Sequence, residues 1–230
     1  MDIDKTLSGL GVAFPQKISD EDWARLCAES AKEVERMKEQ HEEEIRLTRY
    51  RMAVPRRYWN ESLETYVTTP ENQDAFRSVC AFVSDVRAGK FRTLVLLGNP
   101  GTGKTHLACG VLLALGGGTY RMSATICDEM NRARAYGAKV TELDILDKYS
   151  HDLCVIDEIG RALSEKEEKY MLYQIVNACN NNRTNLIIVS NFSRDDFFKY
   201  AGEAVIDRLT ESALIVELSG ASYRTKKRGK

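Results

Sequence analysis

Residues 94–108 read LVLLGNPGTGKTHLA. Apolar residues run into Gly98-Asn99-Pro100-Gly101-Thr102-Gly103-Lys104-Thr105, then into His106 and a second apolar run. A buried strand that ends in glycines has a backbone free to wrap, so several amide hydrogens can converge on one anion. A helix that starts near Lys104 adds its positive N-terminal end at the same point. The stretch fits G-x-x-x-x-G-K-[ST], the spacing of a loop that cradles nucleotide phosphates. In that reading the segment from Gly98 to His106 binds ATP. Lys104 reaches the β- and γ-phosphates, and the Thr105 hydroxyl ligates Mg²⁺.

The surrounding pattern sets the fold class. Strand candidates fall at 93–97, 119–123, 153–156, 186–190 and 214–218, with helical spacing between them. Nearly unbroken apolar strands separated by helices predict an α/β domain whose parallel sheet is covered on both faces. A helix is expected over 70–88, with Phe76, Val79, Cys80 and Val83 on its apolar face. Cys109, Cys154 and Cys179 lie in apolar periodic contexts and read as buried thiols.

Two further strand ends carry polar residues. LCVI (153–156) runs into Asp157 and Glu158. Two adjacent carboxylates repel each other in a dry site unless a cation and a water engage them. Asp157 therefore reads as a Mg²⁺ holder and Glu158 as the group that polarises a water in line with the γ-phosphate. That pair favours an ATPase over a small-molecule kinase, which wasteful hydrolysis would harm. LIIVS (186–190) runs into Asn191. If this strand lies between the other two, the Asn191 amide can touch both γ-phosphate and water.

The N-terminal part differs. SDED (19–22) reads as a helix start, and 23–51 contains no Gly and no Pro. Trp23, Leu26, Cys27, Val34, Met37 and Ile45 form a thin apolar stripe on a charged helix. Such a helix is either solvated, a loose coiled coil, or a partner-docking arm. Pro55 ends it, and VPRRYWNESLETY (54–66) reads as an irregular linker whose aromatics pin it to the next domain. The expected division is an arm over 1–55 and an ATPase domain over 56–230. Formal net charge is −1, so nucleic-acid binding has to come from local patches. No apolar run approaches the roughly 20 residues of a membrane-spanning helix, and a cytoplasmic protein is expected.

The phosphate loop, one further strand, the Asp-Glu strand and the Asn strand, in that order, resemble the AAA+ ATPases. VPRRYWNESLETY, GNPGTGKTHLA, LCVIDEIG, LIIVSNFS, VIDRL and SYR (222–224) are together similar to the DnaC/DnaI helicase-loader and IstB transposition-helper family. The resemblance spans about 54–224. It implies a five-stranded parallel sheet in the order 5-1-4-3-2, with ATP and Mg²⁺ at its carboxyl edge. It also implies assembly, in which Arg208 reaches a neighbouring subunit's nucleotide and Arg224 contacts phosphate in its own. Too few residues follow Leu218 for a helical lid domain, so an unfoldase is not expected.

By the same resemblance, ICDEMNRARAY (126–136) falls where the family faces single-stranded DNA. Arg132, Arg134 and Lys139 would meet phosphates there and Tyr136 would stack on a base, unless this is a solvated amphipathic helix. The basic tail from Arg224 to Lys230 either touches nucleic acid or keeps the end soluble. The implied function is an ATP-dependent loader whose arm docks a replicative hexameric helicase, with a transposition helper of the IstB type as the alternative.

Overall fold

The structure is a computed structural model that describes residues 19–220 and Tyr223. The chain divides into two units between Glu44 and Ile45. Helix α1 (Asp20–Ala53) begins in the first unit. The Asp22 amide donates to Ser19 Oγ at 3.1 Å, and acids fill the first turn, where the helix dipole favours them. Up to Glu44 every side chain is exposed, Trp23 at 61% and Met37 at 60% among them. Ion pairs at helical spacing, such as Arg25–Glu29 and Arg36–Glu33, line this stretch. Pairs in such exposed positions contribute little.

The second unit, from Ile45, is a parallel sheet between two layers of helices. After a short turn (Arg56–Tyr58) come α2 (Gln73–Arg87), β1 (Thr93–Gly98), α3 (Lys104–Ala114) and β2 (Thr119–Met122). Next come α4 (Ser123–Ala133), α5 (Glu142–Ser150), β3 (Cys154–Ile159) and α6 (Glu165–Asn182). The unit closes with β4 (Leu186–Ser190), α7 (Arg194–Ala201), α8 (Glu203–Thr210) and β5 (Ala213–Leu218). The sheet order is β2-β3-β4-β1-β5, which is the expected 5-1-4-3-2 read from the other edge. All pairings are parallel, with Thr93 opposite both Leu186 and Ala213.

Strand periodicity builds the two cores. Leu94, Leu96, Ile187 and Val189 face the layer of α2 and α3. Val95, Leu97, Leu186 and Ile188 face the layer of α4 to α8. Alternate residues point to opposite faces, so a strand buried on both sides must be apolar throughout. β1 and β4, two of the three strands with a neighbour on each side, are buried at every position. On α2 the structure departs from expectation: Cys80 is exposed, and Phe82 takes the buried place beside Val79 and Val83.

The linker is pinned, as its aromatics suggest. Tyr50, fully buried near the end of α1, donates its hydroxyl to the carbonyls of Tyr58 at 2.6 Å and Glu61 at 3.1 Å. The chain then runs directly over α3. Gly110 permits that approach, since a Cβ there would lie 2.9 Å from Leu63 N.

Four of the six cysteines, Cys109, Cys127, Cys154 and Cys179, are buried, while Cys27 and Cys80 are exposed. Burial pushes the thiols of Cys127 and Cys179 up to about 12. A thiol-reactive chromophore should therefore count only the exposed pair in the native chain and all six in denaturant. Fast reaction of a third thiol under native conditions would contradict this packing.

Candidate active site

β1, β3 and β4 are neighbours, so their carboxyl ends deliver Gly98, Asp157 and Asn191 to one edge of the sheet. A cavity of about 360 Å³ opens there. A larger, shallower groove of about 670 Å³, lined by Arg49, Arg87 and Arg183, lies toward the opposite ends of the strands. The predicted chemistry gathers at the carboxyl edge.

The loop from Gly98 to Thr105 has the conformation its glycines suggest. Gly98, Gly101 and Gly103 have φ of 118°, 84° and 95°, a region costly for other residues. Thr102 Oγ1 donates to the Asn99 carbonyl at 2.9 Å and holds the turn. Lys104 Nζ donates to the carbonyls of Gly98 and Asn99, both at 2.7 Å, which keeps the ammonium inside the loop. Pro100, Gly101, Gly103, Lys104, Thr105 and His106 all line the cavity.

Asp157 is 2% exposed and fully engaged. Its Oδ2 accepts from Thr105 Oγ1 at 3.0 Å and from the Tyr120 hydroxyl at 2.6 Å. Its Oδ1 accepts from the Glu158 amide at 2.8 Å. A buried carboxylate beside a threonine hydroxyl is a hard-oxygen donor set that fits Mg²⁺. Burial first, and then the Asp157 charge, hold the Tyr120 hydroxyl far above its ordinary range, so it stays a donor.

Glu158 is exposed at φ 62°, one of the two non-glycine residues with positive φ among those described. The pairing of β3 with β4 breaks between Ile156 and Ile159, and this bulge turns Glu158 into the cavity. Beyond it, Gly160 packs so closely on Phe192 that a Cβ would lie 2.4 Å from the ring. Asn191, which precedes Phe192, lines the same cavity. Gly98 N donates to the Phe192 carbonyl at 3.0 Å, tying the tips of β1 and β4 together.

Several contributors were not foreseen. The linker supplies Tyr58, Glu61, Thr65 and Tyr66 to the cavity wall. The ring nitrogens of His106 lie 2.6 Å from a Glu61 carboxylate oxygen and 2.8 Å from the Ser62 carbonyl. Tyr66 stacks on Phe76 and donates to the Thr102 carbonyl at 3.3 Å. Its hydroxyl is pushed up to about 12, chiefly by burial. The Tyr223 amide donates to the Gly101 carbonyl at 3.0 Å. Glu168 is buried on α6, where it accepts from the Gly160 amide at 2.9 Å and from the Tyr200 hydroxyl. The aromatic linker and the SYR segment were the available signals. Glu168 left none, because SEKEEK reads as an ordinary charged helix start.

Other predicted residues lie elsewhere. Arg208 Nε donates to Asn177 Oδ1 at 2.7 Å, with the guanidinium over Tyr173. Arg132 is exposed in the last turn of α4, and Tyr136 just beyond is fully exposed. Arg134 is ion-paired with Glu142 and lies over Tyr170. Arg224 lies outside the described residues, as does Ser222.

The family model described as "IstB-like ATP binding protein" matches residues 7–230. The chain belongs to that family. The replicative helicase loader DnaC of Escherichia coli K12 is 31% identical over 179 residues, covering 74% of this chain and 72% of that protein. The insertion sequence IS5376 putative ATP-binding protein of Geobacillus stearothermophilus is 29% identical over 144 residues, covering 59% and 56%. Among solved structures, a crystal structure of the DnaC helicase loader gives a TM-score of 0.62 at 23% identity, covering 72% of this chain and 100% of that one. AMPPCP-bound DnaA from Aquifex aeolicus gives 0.59 at 19%, covering 73% and 53%. The IstB-like chain thus has the fold of the AAA+ P-loop proteins. Among its described residues no helix is long and apolar enough to cross a membrane.

Gly103→Ala tests the loop. A Cβ there would lie 2.7 Å from the Tyr66 ring, at a φ of 95°. The strain of an alanine at such a φ is about 1–3 kcal/mol before the clash. Affinity for a fluorescent ATP analogue should fall at least about tenfold, with far-UV dichroism unchanged. Parent-like affinity would show that Tyr66 does not cover the loop.

Proposed function

We propose that the chain is an ATP-hydrolysing loader, which docks a replicative hexameric helicase through its N-terminal arm and holds single-stranded DNA. One observation carries the ATPase part: Lys104, the Thr105–Asp157 pair, Glu158 and Asn191 meet around one cavity. The loop amides and Lys104 bind the triphosphate. Thr105 and Asp157 hold Mg²⁺, which when bound neutralises charge on the β- and γ-phosphates. Glu158 accepts a hydrogen bond from water and aligns it, and Asn191 fixes that water against the γ-phosphate. The similarity to the Escherichia coli loader, at 31% identity, supports the loading role.

Arg208, on α8, suits a neighbour's nucleotide better than its own, because Asn177 and Tyr173 hold it against α6. Self-association through Arg208 would then complete each site, with Arg224 as the contact from the chain's own tail. Arg132 in the last turn of α4 and Tyr136 just beyond it, both exposed, suit a phosphate and a base of single-stranded DNA. Arg134 would have to leave Glu142 to join them. The apolar stripe of α1 suits a helical partner surface. A transposition helper is the second reading, favoured by the similarity to the IS5376 protein. On either reading the protein works in the cytoplasm, where its DNA is.

Lys104→Ala should abolish binding of a fluorescent ATP analogue. Glu158→Gln should keep binding but lower phosphate release about 100-fold or more. An unchanged turnover in Glu158→Gln would remove Glu158 from the chemistry.

Full-length chain should retain a purified replicative hexameric helicase on a column, and the Trp23→Asp, Met37→Asp double variant should not. Equal retention by both would remove the arm from docking. Failure of the parent to retain helicase, with transposase retained instead, would favour the helper.

A further inference from the structure

The carboxylate that would hold Mg²⁺ is oriented by a residue outside the recognised motifs. Tyr120 lies on β2, at the edge of the sheet, and β2 pairs with β3 so that Tyr120 stands opposite Val155 and Met122 opposite Asp157. It is 4% exposed, and its hydroxyl donates to Asp157 Oδ2 at 2.6 Å. The same oxygen accepts from Thr105 Oγ1 at 3.0 Å, while Oδ1 takes the Glu158 amide at 2.8 Å.

These donors are not equivalent. The Thr105 hydroxyl is itself a metal-ligand candidate, so its orientation depends on what the site holds. The Glu158 amide belongs to the bulge beside the carboxylate. Tyr120 comes from a different strand, and its ring is packed among Tyr58, Cys109 and the residues of the α2–α3 layer. Its hydroxyl therefore fixes the rotation of the carboxylate whatever the state of the nucleotide. Groups that orient a ligand from behind typically change metal affinity about 10–100-fold when removed.

We infer that Tyr120 is a positioning residue for Mg²⁺, and that its hydroxyl sets the Mg²⁺ concentration at which nucleotide is held tightly. This rests on the ATPase reading above and adds to it a residue that the phosphate-loop and Asp-Glu motifs do not contain.

The test uses full-length chain and a fluorescent ATP analogue, titrated at fixed nucleotide with rising Mg²⁺. Tyr120→Phe removes only the hydroxyl. Tyr149→Phe is the matched control: that hydroxyl is also held by a carboxylate, Glu129 Oε2 at 2.7 Å, on a fully buried ring. Tyr120→Phe should bind the analogue like the parent without Mg²⁺, and its Mg²⁺ midpoint should rise about tenfold. Tyr149→Phe should keep the parental midpoint, even where it lowers the melting temperature. Should the Phe variant fold poorly, Tyr120→Leu lacks the same hydroxyl and should show the same shift. A parental midpoint in a folded hydroxyl-free variant overturns the proposal, as does an equal shift in Tyr149→Phe. If the parent binds the analogue with no Mg²⁺ dependence at all, the metal-site reading falls, and the role of Tyr120 with it.

Discussion

A carboxylate taken out of water has to find its hydrogen bonds inside the protein, and Asp157 finds them on three separate parts of the chain. Thr105 opens the helix after the phosphate loop, Tyr120 sits on the edge strand, and the Glu158 amide sits in the bulge. Leaving any one of these out would remove part of what offsets the cost of burying the carboxylate. Satisfying all of them locks the start of α3, the edge strand β2 and the tip of β3 into one arrangement. The sheet order then places β4 between β3 and β1, so Asn191 has no other edge to reach. The polar site and the apolar sheet are one solution: β1 and β4 are buried along their length and β3 everywhere but Glu158, and the polar ends of these strands share one edge.

The cover of that site comes from the linker. Tyr66 lies against Gly103, and Asn72 Nδ2 donates to the Tyr66 hydroxyl and to the Val67 carbonyl, each at 3.2 Å. The same amide reaches the Tyr223 hydroxyl at 3.2 Å, so the chain before the core and the chain after it meet over the loop. Tyr50 fixes this cover from behind, because its hydroxyl holds the carbonyls of Tyr58 and Glu61, whose side chains both face the cavity. Glycines are required where backbone and ring come closest. At Gly103 and Gly110 any side chain would occupy space that the linker already fills.

What could be read from the sequence followed the range of the interaction. The phosphate loop is a local pattern, and the strands announce themselves because burial on both faces admits only apolar residues. Polar strand ends marked Asp157, Glu158 and Asn191, and the strand order that the family resemblance implied put them on one edge. Contacts that depend on tertiary pairing left no such trace. Tyr120 looks like any strand tyrosine until β2 pairs with β3, and Glu168 looks solvated until α6 turns it under the Gly160 loop. Cys80 and Phe82 differ by little more than half a helical turn, and only packing against the sheet decides which is covered. His106 was read as part of the loop, yet its ring is turned to the linker. Arg134, read as a phosphate contact or part of a solvated helix, is engaged by Glu142 from α5, a helix whose position no motif foretold.

Glu158 is where local strain and proposed chemistry coincide. A left-handed backbone costs a glutamate about 1–3 kcal/mol, and it persists only where the surroundings over-determine it. Here they do. Ser123 Oγ donates to the Glu158 carbonyl at 3.0 Å, and Glu168 accepts from the Gly160 amide at 2.9 Å. Phe192 packs against Gly160, where a Cβ would lie 2.4 Å from its ring. One of these restraints belongs to α4, because Ser123 is its first residue and Arg132 lies in its last turn. On the proposed reading, single-stranded DNA would be held along the same helix whose first residue restrains Glu158. On that reading a DNA face and Glu158 would need no separate relay, because α4 carries both Arg132 and the Ser123 that bonds the Glu158 carbonyl.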